Sequence, residues 1–529
     1  MYDLLIRGGR VLDGTGAPWF AADVALVGER VVAMGHLADR EAVREIDAAG
    51  RFVTPGFVDE HGHSDVTLLV DPRAQSAVRQ GITSLAVGAC GMSAAPVREA
   101  SRDAYRRATP VFSFEGYEWS WAGMGEYLEA LRARRPSVNV VALAGHLPLR
   151  VSVMGQATRP ADEGERAEMR TMLAEALAEG ARGFSTGLTY ESTVFADTEE
   201  ILEIAKALGP HGWAYHTHMR SYGRSRAQAL AEALEVAEGA GVPLVVSHLY
   251  PSGRDYWGEA GQIVEWVERA RDRGAEVGYD VTPWLRGGGP VGQSFPPWAR
   301  EGGLEGTLEV IRDPVRRGRL ARELEEGGDW AGWIRPEWEE WLVCRAGKLE
   351  HREWLGRTVA EIAAERGQAP AETALLMYLE DRGQYWVAPR TKCDEDIDLL
   401  LRHPSGVPTC DGFALAPEGP LAYQDRPNSY GSFPRVLGRY VRERGVLTWE
   451  QAVQKMTSIP AGRLGLWDRG VLRPGMAADV VIFDPATVVE RADYQRPQEY
   501  PEGVEWVIVN GEVTVSPDGH TGARVGQVV

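Results

Sequence analysis

Apolar positions along the chain fall into two textures. Over the first 50 residues they come in short β-rich runs, LLIRGGRVLD, DVALVGERVVAMG and AVREIDAAGRFV, parted by glycine or charged turns. The C-terminal stretches ADVVIFDP and VEWVIVNGEVTV, ahead of the turn SPDGHTGARVG, repeat that texture. Two β-rich ends around a different middle predict one small β-domain, a β-sandwich of residues 1–55 plus 467–529. Between them the pattern alternates. NVVALAG, RAEMRTMLAEALAEGA, RGFSTGL, TEEILEIAKALGPHG, WAYHTHM, SRAQALAEALEVAEGAG and VPLVVSHLY read as strand, amphipathic helix, strand and so on. This repeated β-then-α order predicts an α/β fold with a parallel sheet and crossover helices over 56–466. A closed (β/α)8 TIM-like barrel needs about 250 residues and fits. A doubly wound open sheet satisfies the same periodicity.

One stretch breaks the alternation. Residues 285–345 are rich in Gly, Pro and Trp, with Trp298, Trp330, Trp333, Trp338 and Trp341. Such an insertion serves as a lid over a site or packs as a small subdomain, and the two roles are compatible. At 529 residues, 44% hydrophobic and 25% charged, the chain has enough apolar surface for large cores, which excludes dominant disorder. The net charge of −19 argues against a nucleic-acid partner. No run of about 20 uncharged apolar residues is present, so a membrane span is not expected. Cys90, Cys344, Cys393 and Cys410 form no CxxC pair, and with no signal peptide at the N-terminus the expected compartment is the cytoplasm.

Candidate chemistry gathers where apolar runs end. VTPGFVDEHGHSD closes on His61 and His63, which as i and i+2 of a strand would share a face. Cys90 closes GITSLAVGAC, His218 closes WAYHTHM with His216 in phase, and His248 closes VPLVVSH. Singly, each is as well read as a packed core residue. Together they are soft ligands at the same end of successive strands, a set that suits zinc with a position left for water. Asp411, in GVPTCDGF, either serves as a general base and acid beside that centre or is a turn aspartate before Gly412.

With these residues in hand the chain resembles the N-acyl-D-amino-acid deacylases (D-aminoacylases) of the amidohydrolase superfamily. The likeness runs through PGFVDEHGHSD at 55–65, GACGMSAAP at 88–96, AGHLPLR at 144–150, GFSTGLTYE at 183–191 and HTHMRSYG at 216–223. It continues through SHLY at 247–250, CDG at 410–412, SYGSFPRVLGRYVRE at 429–443, KMTSIPAGRLGL at 455–466 and RGVLRPGMAADVVIFDP at 469–485. The resemblance implies a barrel of eight β/α units with a β-sandwich from both termini. It implies one tightly held Zn2+ on Cys90, His218 and His248, with Cys90 in the bridging place that a carboxylated lysine takes in many amidohydrolases. It implies a second, weaker metal position at His61, His63 and Asp411, with Asp411 the catalytic carboxylate. His146 or Tyr190 would help to stabilise the oxyanion. The expected partner is a small-molecule amide, hydrolysed to a carboxylate and an amine, and the oligomeric state is left open.

The pattern breaks where the family grips the free carboxylate of its substrate. The lysine of its SHxK motif is Tyr250 here, the first tyrosine of its DxYPY segment is Thr282, and the arginine of its HPR triplet is Asn428. Without paired cations a buried carboxylate is costly. Either the substrate lacks the usual carboxylate, or Arg220, Arg286 or Arg426 takes it over. Hydrolysis of a cyclic amide (a hydantoin, lactam or imide) uses the same metal logic and is the competing activity; a deaminase ranks below it. A non-catalytic scaffold is the alternative of another class, and it would be expected to have lost ligands.

Overall fold

The computed structural model describes residues 1–114, 117–328, 330–422 and 425–529. Both chain ends enter a single nine-stranded sheet. The strands Tyr2–Val11, Phe20–Val27, Arg30–Gly35, Ala42–Asp47 and Phe52–Pro55 come from the N-terminus. Those from the C-terminus are Val480–Phe483, Val504–Val509, Glu512–Ser516 and Gly519–His520. The two groups are stitched by the antiparallel pairing of Phe52–Pro55 with Val480–Phe483. The alternating apolar positions of these strands, among them Leu4, Ile6, Val24, Leu26, Val480 and Ile482, pack into a cluster of their own.

The middle of the chain carries parallel strands. Phe57–Asp59 pairs with Ile82–Val87, and that strand with Asn139–Ala142. Ala144–Gly145 pairs with Phe184–Gly187, followed by Tyr215–His218, Leu244–Val246, Val277–Val281 and Gly406–Pro408. The two sets are continuous across Leu143, whose N–H donates to the Val87 carbonyl while the Ala144 N–H donates to Gly183. At the far edge Gly62 bridges Gly412 in parallel, and the Asp411 N–H donates to the His61 carbonyl. The pairing therefore returns to its first strand. These strands are buried throughout, which is why they read as short apolar runs without alternation.

Helices follow the strands where the sequence pattern asks for them. Glu163–Ala178 starts in a capping box between Asp162 and Glu165 and buries Met169, Met172, Leu173, Ala176 and Leu177 along one stripe. Arg226–Ala240 stops at Gly241, whose φ of 69° ends the helix in the left-handed region. The tryptophan-rich insertion has a separate apolar cluster, running from Val291 to Val387 and including Phe295, Leu308, Trp338 and Trp341. It is tied by a three-stranded antiparallel sheet of Gly289–Pro290, Leu342–Arg345 and Trp386–Ala388, so it reaches past the 285–345 stretch marked by composition. Among the described residues no helix is long and apolar enough to cross a membrane.

Candidate metal centre

Cys90, His248 and Asp411 each end or follow a parallel strand, and each has a positive φ: 52°, 36° and 47°. Non-glycine residues avoid this region at a cost of about 1–3 kcal/mol each, and such strain collects at functional sites. The left-handed turn throws each side chain toward the strand ends. Close backbone approach makes room for it. A Cβ on Gly187 would lie 2.1 Å from the Cys90 carbonyl oxygen, so only glycine fits beside this ligand.

Six predicted residues meet here. Cys90 Sγ lies 3.2 Å from His61 Nε2 and 3.5 Å from His248 Nε2. The rings of His218 and His248 stand edge to face with centroids 4.6 Å apart. Asp411 Oδ1 is 3.2 Å from His63 Nε2 and 3.6 Å from His61 Nε2. The donor atoms form two triads that share Cys90: His61, His63 and Cys90, and Cys90, His218 and His248. Within each triad all donor atoms lie within 4.8 Å of one another. The expected strand seat of the histidine pair differs in one respect. The strand stops at Asp59, and pairing resumes only at Gly62, so His61 and His63 flank a single bridging residue.

Electrostatics favour a cation at this point. Burial raises the Cys90 thiol, but the charges of His61 and His248 and the hydrogen bonds of His218 and His248 outweigh it and hold the thiol well below its ordinary value. Burial also raises Asp411, and Arg426, His63 and His61 together hold it well below the usual carboxylate range. Burial lowers His63, yet Asp411 and Cys90 push it up to about 9. The anions of Cys90 and Asp411 thus draw protons onto His61 and His63, and a soft divalent metal would replace those protons.

A second set of contacts orients the ligands. Asp280 accepts from His61 Nδ1 at 2.9 Å and from the His248 N–H at 2.7 Å, which turns His61 Nε2 toward Cys90. Thr189 Oγ1 is 2.9 Å from His218 Nε2, and the Tyr190 hydroxyl is 3.4 Å from His218 Nδ1. A cavity opens over the centre, with His63, Tyr190, His218, Tyr250, Trp341 and Arg426 in its walls.

Other candidates are placed elsewhere. His146 is buried against Glu200, with Nε2 at 2.9 Å from Oε1, and is absent from the cavity walls. Arg220 pairs with Glu232 at 2.8 Å, and Arg286 with Glu340 at 2.7 Å. Asn428 Nδ2 donates to the carbonyls of Cys410 and Asp411 at 2.6 and 2.8 Å, so it clamps the Asp411 backbone and does not face the cavity. His216 shares a strand with His218 but joins neither triad, and burial pushes it down to about 3. Cys410 turns away toward Gln80.

Lys392 was not anticipated. It is buried, its Nζ donates to Thr282 Oγ1, and it lies 4.2 Å from the Tyr250 ring centroid. Burial pushes its amine down to about 7, with Asp411 opposing that shift. A basic amine therefore stands beside two of the three positions where the family's carboxylate-gripping residues are missing. Nothing local marks it, because only the packing of the insertion carries residue 392 to this place.

Comparison with known proteins identifies the family. The amidohydrolase family model matches residues 44–515. An N-acyl-D-glutamate deacylase of Alcaligenes xylosoxydans xylosoxydans is 35% identical over 532 aligned positions, covering 100% of this chain and 96% of the relative. A D-aminoacylase of the same organism is 33% identical, covering 100% and 97%. Among solved structures, the N-acyl-D-glutamate deacylase of Bordetella bronchiseptica, complexed with zinc and a phosphonate mimic of the tetrahedral intermediate, superposes with a TM-score of 0.84 at 31% identity. That superposition covers 100% of this chain and 99% of the other. The chain belongs to the amidohydrolase family, and it is similar over its full length to a D-aminoacylase and an N-acyl-D-glutamate deacylase.

Proposed function

We propose that this amidohydrolase is a zinc-dependent deacylase of N-acyl-D-amino acids, acting on the linear amide bond of a small-molecule substrate in the cytoplasm. The observation that carries the reading is the pair of donor triads sharing Cys90, with Asp411 between His61 and His63 and a cavity above. The nine parallel segments among the described residues, taken as eight strands because Asn139–Ala142 and Ala144–Gly145 are continuous across Leu143, are read as a (β/α)8 barrel of residues 56–466, and the nine-stranded terminal sheet as the β-sandwich of 1–55 plus 467–529.

Cys90, His218 and His248 would hold one zinc ion, and His61, His63 and Asp411 a second, weaker position. When bound, such a cation supplies Lewis acidity, which lowers the pKa of water from about 15.7 to about 7. Asp411 accepts the proton of the attacking water at its carboxylate, which is poised as an anion, and returns it to the departing nitrogen. The Tyr190 hydroxyl, at the rim of the His218 ring, donates to the carbonyl oxygen as charge develops there. Asp280 and Thr189 keep the imidazoles oriented through the cycle.

Arg426 meets the substrate carboxylate. Arg426 lines the cavity wall, where it also pairs with Asp411 at 3.4 Å and lies 3.7 Å from Asp425, while Arg220 and Arg286 are engaged with Glu232 and Glu340 outside that wall. Lys392 places a basic amine behind Tyr250, where an incoming carboxylate would hold its proton. This supports a substrate with its carboxylate over one that lacks it. A kinetic panel tests the reading: N-acetyl-D-amino acids should turn over well ahead of their L-enantiomers, their amides and hydantoins. Turnover of the amides or hydantoins alone would refute it.

A further inference from the structure

A second cavity adjoins the one over the metal centre, and the two share walls at Met92, Tyr190, Pro290, Gln293 and Trp386. It holds about 440 Å³, against about 120 Å³ in the first. Its charged groups are answered in place. Arg300 stands beside Glu191, where its charge opposes the rise that burial imposes on the carboxyl, and the Tyr378 hydroxyl donates to the same carboxyl. Arg300 Nη2 also donates to the Thr189 carbonyl at 2.7 Å. Arg382 is paired with Glu305. Arg106 and Arg107, on the helix Arg102–Ala108, reach solvent. Between these groups the walls are apolar, with Met92, Val111, Leu147, Leu304, Tyr378 and Trp386 supplying the carbon surface.

A chamber whose charges are paired and whose remaining surface is apolar favours an uncharged carbon chain. Taking apolar surface out of water is favourable, and a further unpaired charge there would be costly. Its position says which half of the substrate sends that chain. Arg426 and Tyr250, which mark the carboxylate end, line the first cavity and are absent from the walls of the second. Tyr190, whose hydroxyl serves the scissile carbonyl oxygen, lines both. The group on the carbonyl carbon therefore starts at the partition, while the amino-acid half is drawn to the other side. An acetyl group is too short to enter the chamber.

We propose that this adjoining chamber seats a straight alkyl chain on the scissile carbonyl, so that the protein selects N-acyl-D-amino acids whose acyl group is a medium-length fatty acyl chain rather than acetyl. This rests on the deacylase reading above and adds the acyl half of the substrate, which the metal centre leaves unspecified. The aromatic faces of Tyr190 and Trp386 cover the first carbons of the chain, and Leu304 and Val111 meet its far part.

Turnover of N-acetyl-, N-butanoyl-, N-hexanoyl- and N-octanoyl-D-leucine by the zinc-loaded protein tests the chamber. N-acetyl-D-alanine and N-acetyl-D-norleucine form a second series that lengthens the other half of the substrate. A buried methylene is worth about fourfold, so kcat/KM should rise by at least about tenfold from the acetyl to the octanoyl substrate. Leu304 is half-buried in the chamber wall, and Leu304→Trp, which fills the space, should cut the octanoyl-to-acetyl ratio by at least about tenfold. If Leu304→Trp does not fold, Leu304→Phe should cut that ratio by at least about threefold. The proposal is overturned if kcat/KM is flat or falls with acyl length, if norleucine over alanine shows the gain in place of the acyl series, or if the folded variant keeps the wild-type ratio. If none of these substrates is hydrolysed, the deacylase reading fails by itself, and calorimetry then decides the chamber. Octanoate should bind the wild-type protein at least about tenfold more tightly than acetate and lose that margin in Leu304→Trp, whereas equal binding of the two acids would overturn the chamber.

Discussion

Replacing Arg150 with methionine separates support from chemistry at the His146 corner. Both Glu200 oxygens accept from Arg150 Nη1 at 2.5 Å, one also accepts from His146 Nε2 at 2.9 Å, and the Ala161 N–H adds a contact of 2.8 Å. The side chains of Arg150, His146 and Glu200 are fully buried. Burial raises the Glu200 carboxyl, but His146 and Arg150 outweigh it and bring it from 4.5 to about 2. That displacement corresponds to about 3 kcal/mol of stability at pH 7. His146 contributes to that depression as well as Arg150, so the cost of removing Arg150 is set by breaking the buried ion pair, about 3–5 kcal/mol. Because the folded-state value is depressed, the contribution is complete above about pH 4.5 and fades as the pH falls toward 2. Urea unfolding of Arg150→Met beside the wild-type protein should show a gap of about 3–5 kcal/mol at pH 7 that narrows below pH 4.5. A gap under about 1 kcal/mol, with a hundredfold loss of kcat in a well-folded variant, would refute the reasoning and return His146 to the reaction.

Other expectations are as direct. Asp411→Asn should lower kcat by about 10²–10⁴ while zinc at the Cys90 position, measured by elemental analysis, is kept. Cys90→Ser should lose that zinc, and prolonged chelation of the wild-type protein should abolish turnover until zinc is restored. Gly187→Ala sets a methyl 2.1 Å from the Cys90 carbonyl and should cost about 1–3 kcal/mol in thermal unfolding, with a matching fall in zinc affinity. Lys392→Met should weaken N-acyl-D-amino acids more than their amides, seen as a rise in KM for the acids alone.

The order of strands and helices could be read from the chain because it depends on local periodicity. Fully buried parallel strands are short apolar runs, and the helices between them carry their stripes and caps within a few residues, as Asp162 and Glu165 do. The side chains that gather at the candidate centre were legible too, since potential metal donors at the ends of apolar runs are rare and chemically distinct. The left-handed backbone at Cys90, His248 and Asp411 was not, because a positive φ in a non-glycine residue leaves no compositional mark.

His146 and Arg220 looked like site residues on motif position, yet burial partners far along the chain, Glu200 and Glu232, claim them. Lys392 went unnoticed for the converse reason: a lysine in a charged chain is unremarkable until packing buries it. Sequence alone thus determined the elements, their order and the candidate donor side chains, all properties of neighbours in the chain. Which cations stand in the cavity walls was decided only by tertiary structure, because the energy of a buried charge depends on the groups that folding brings around it.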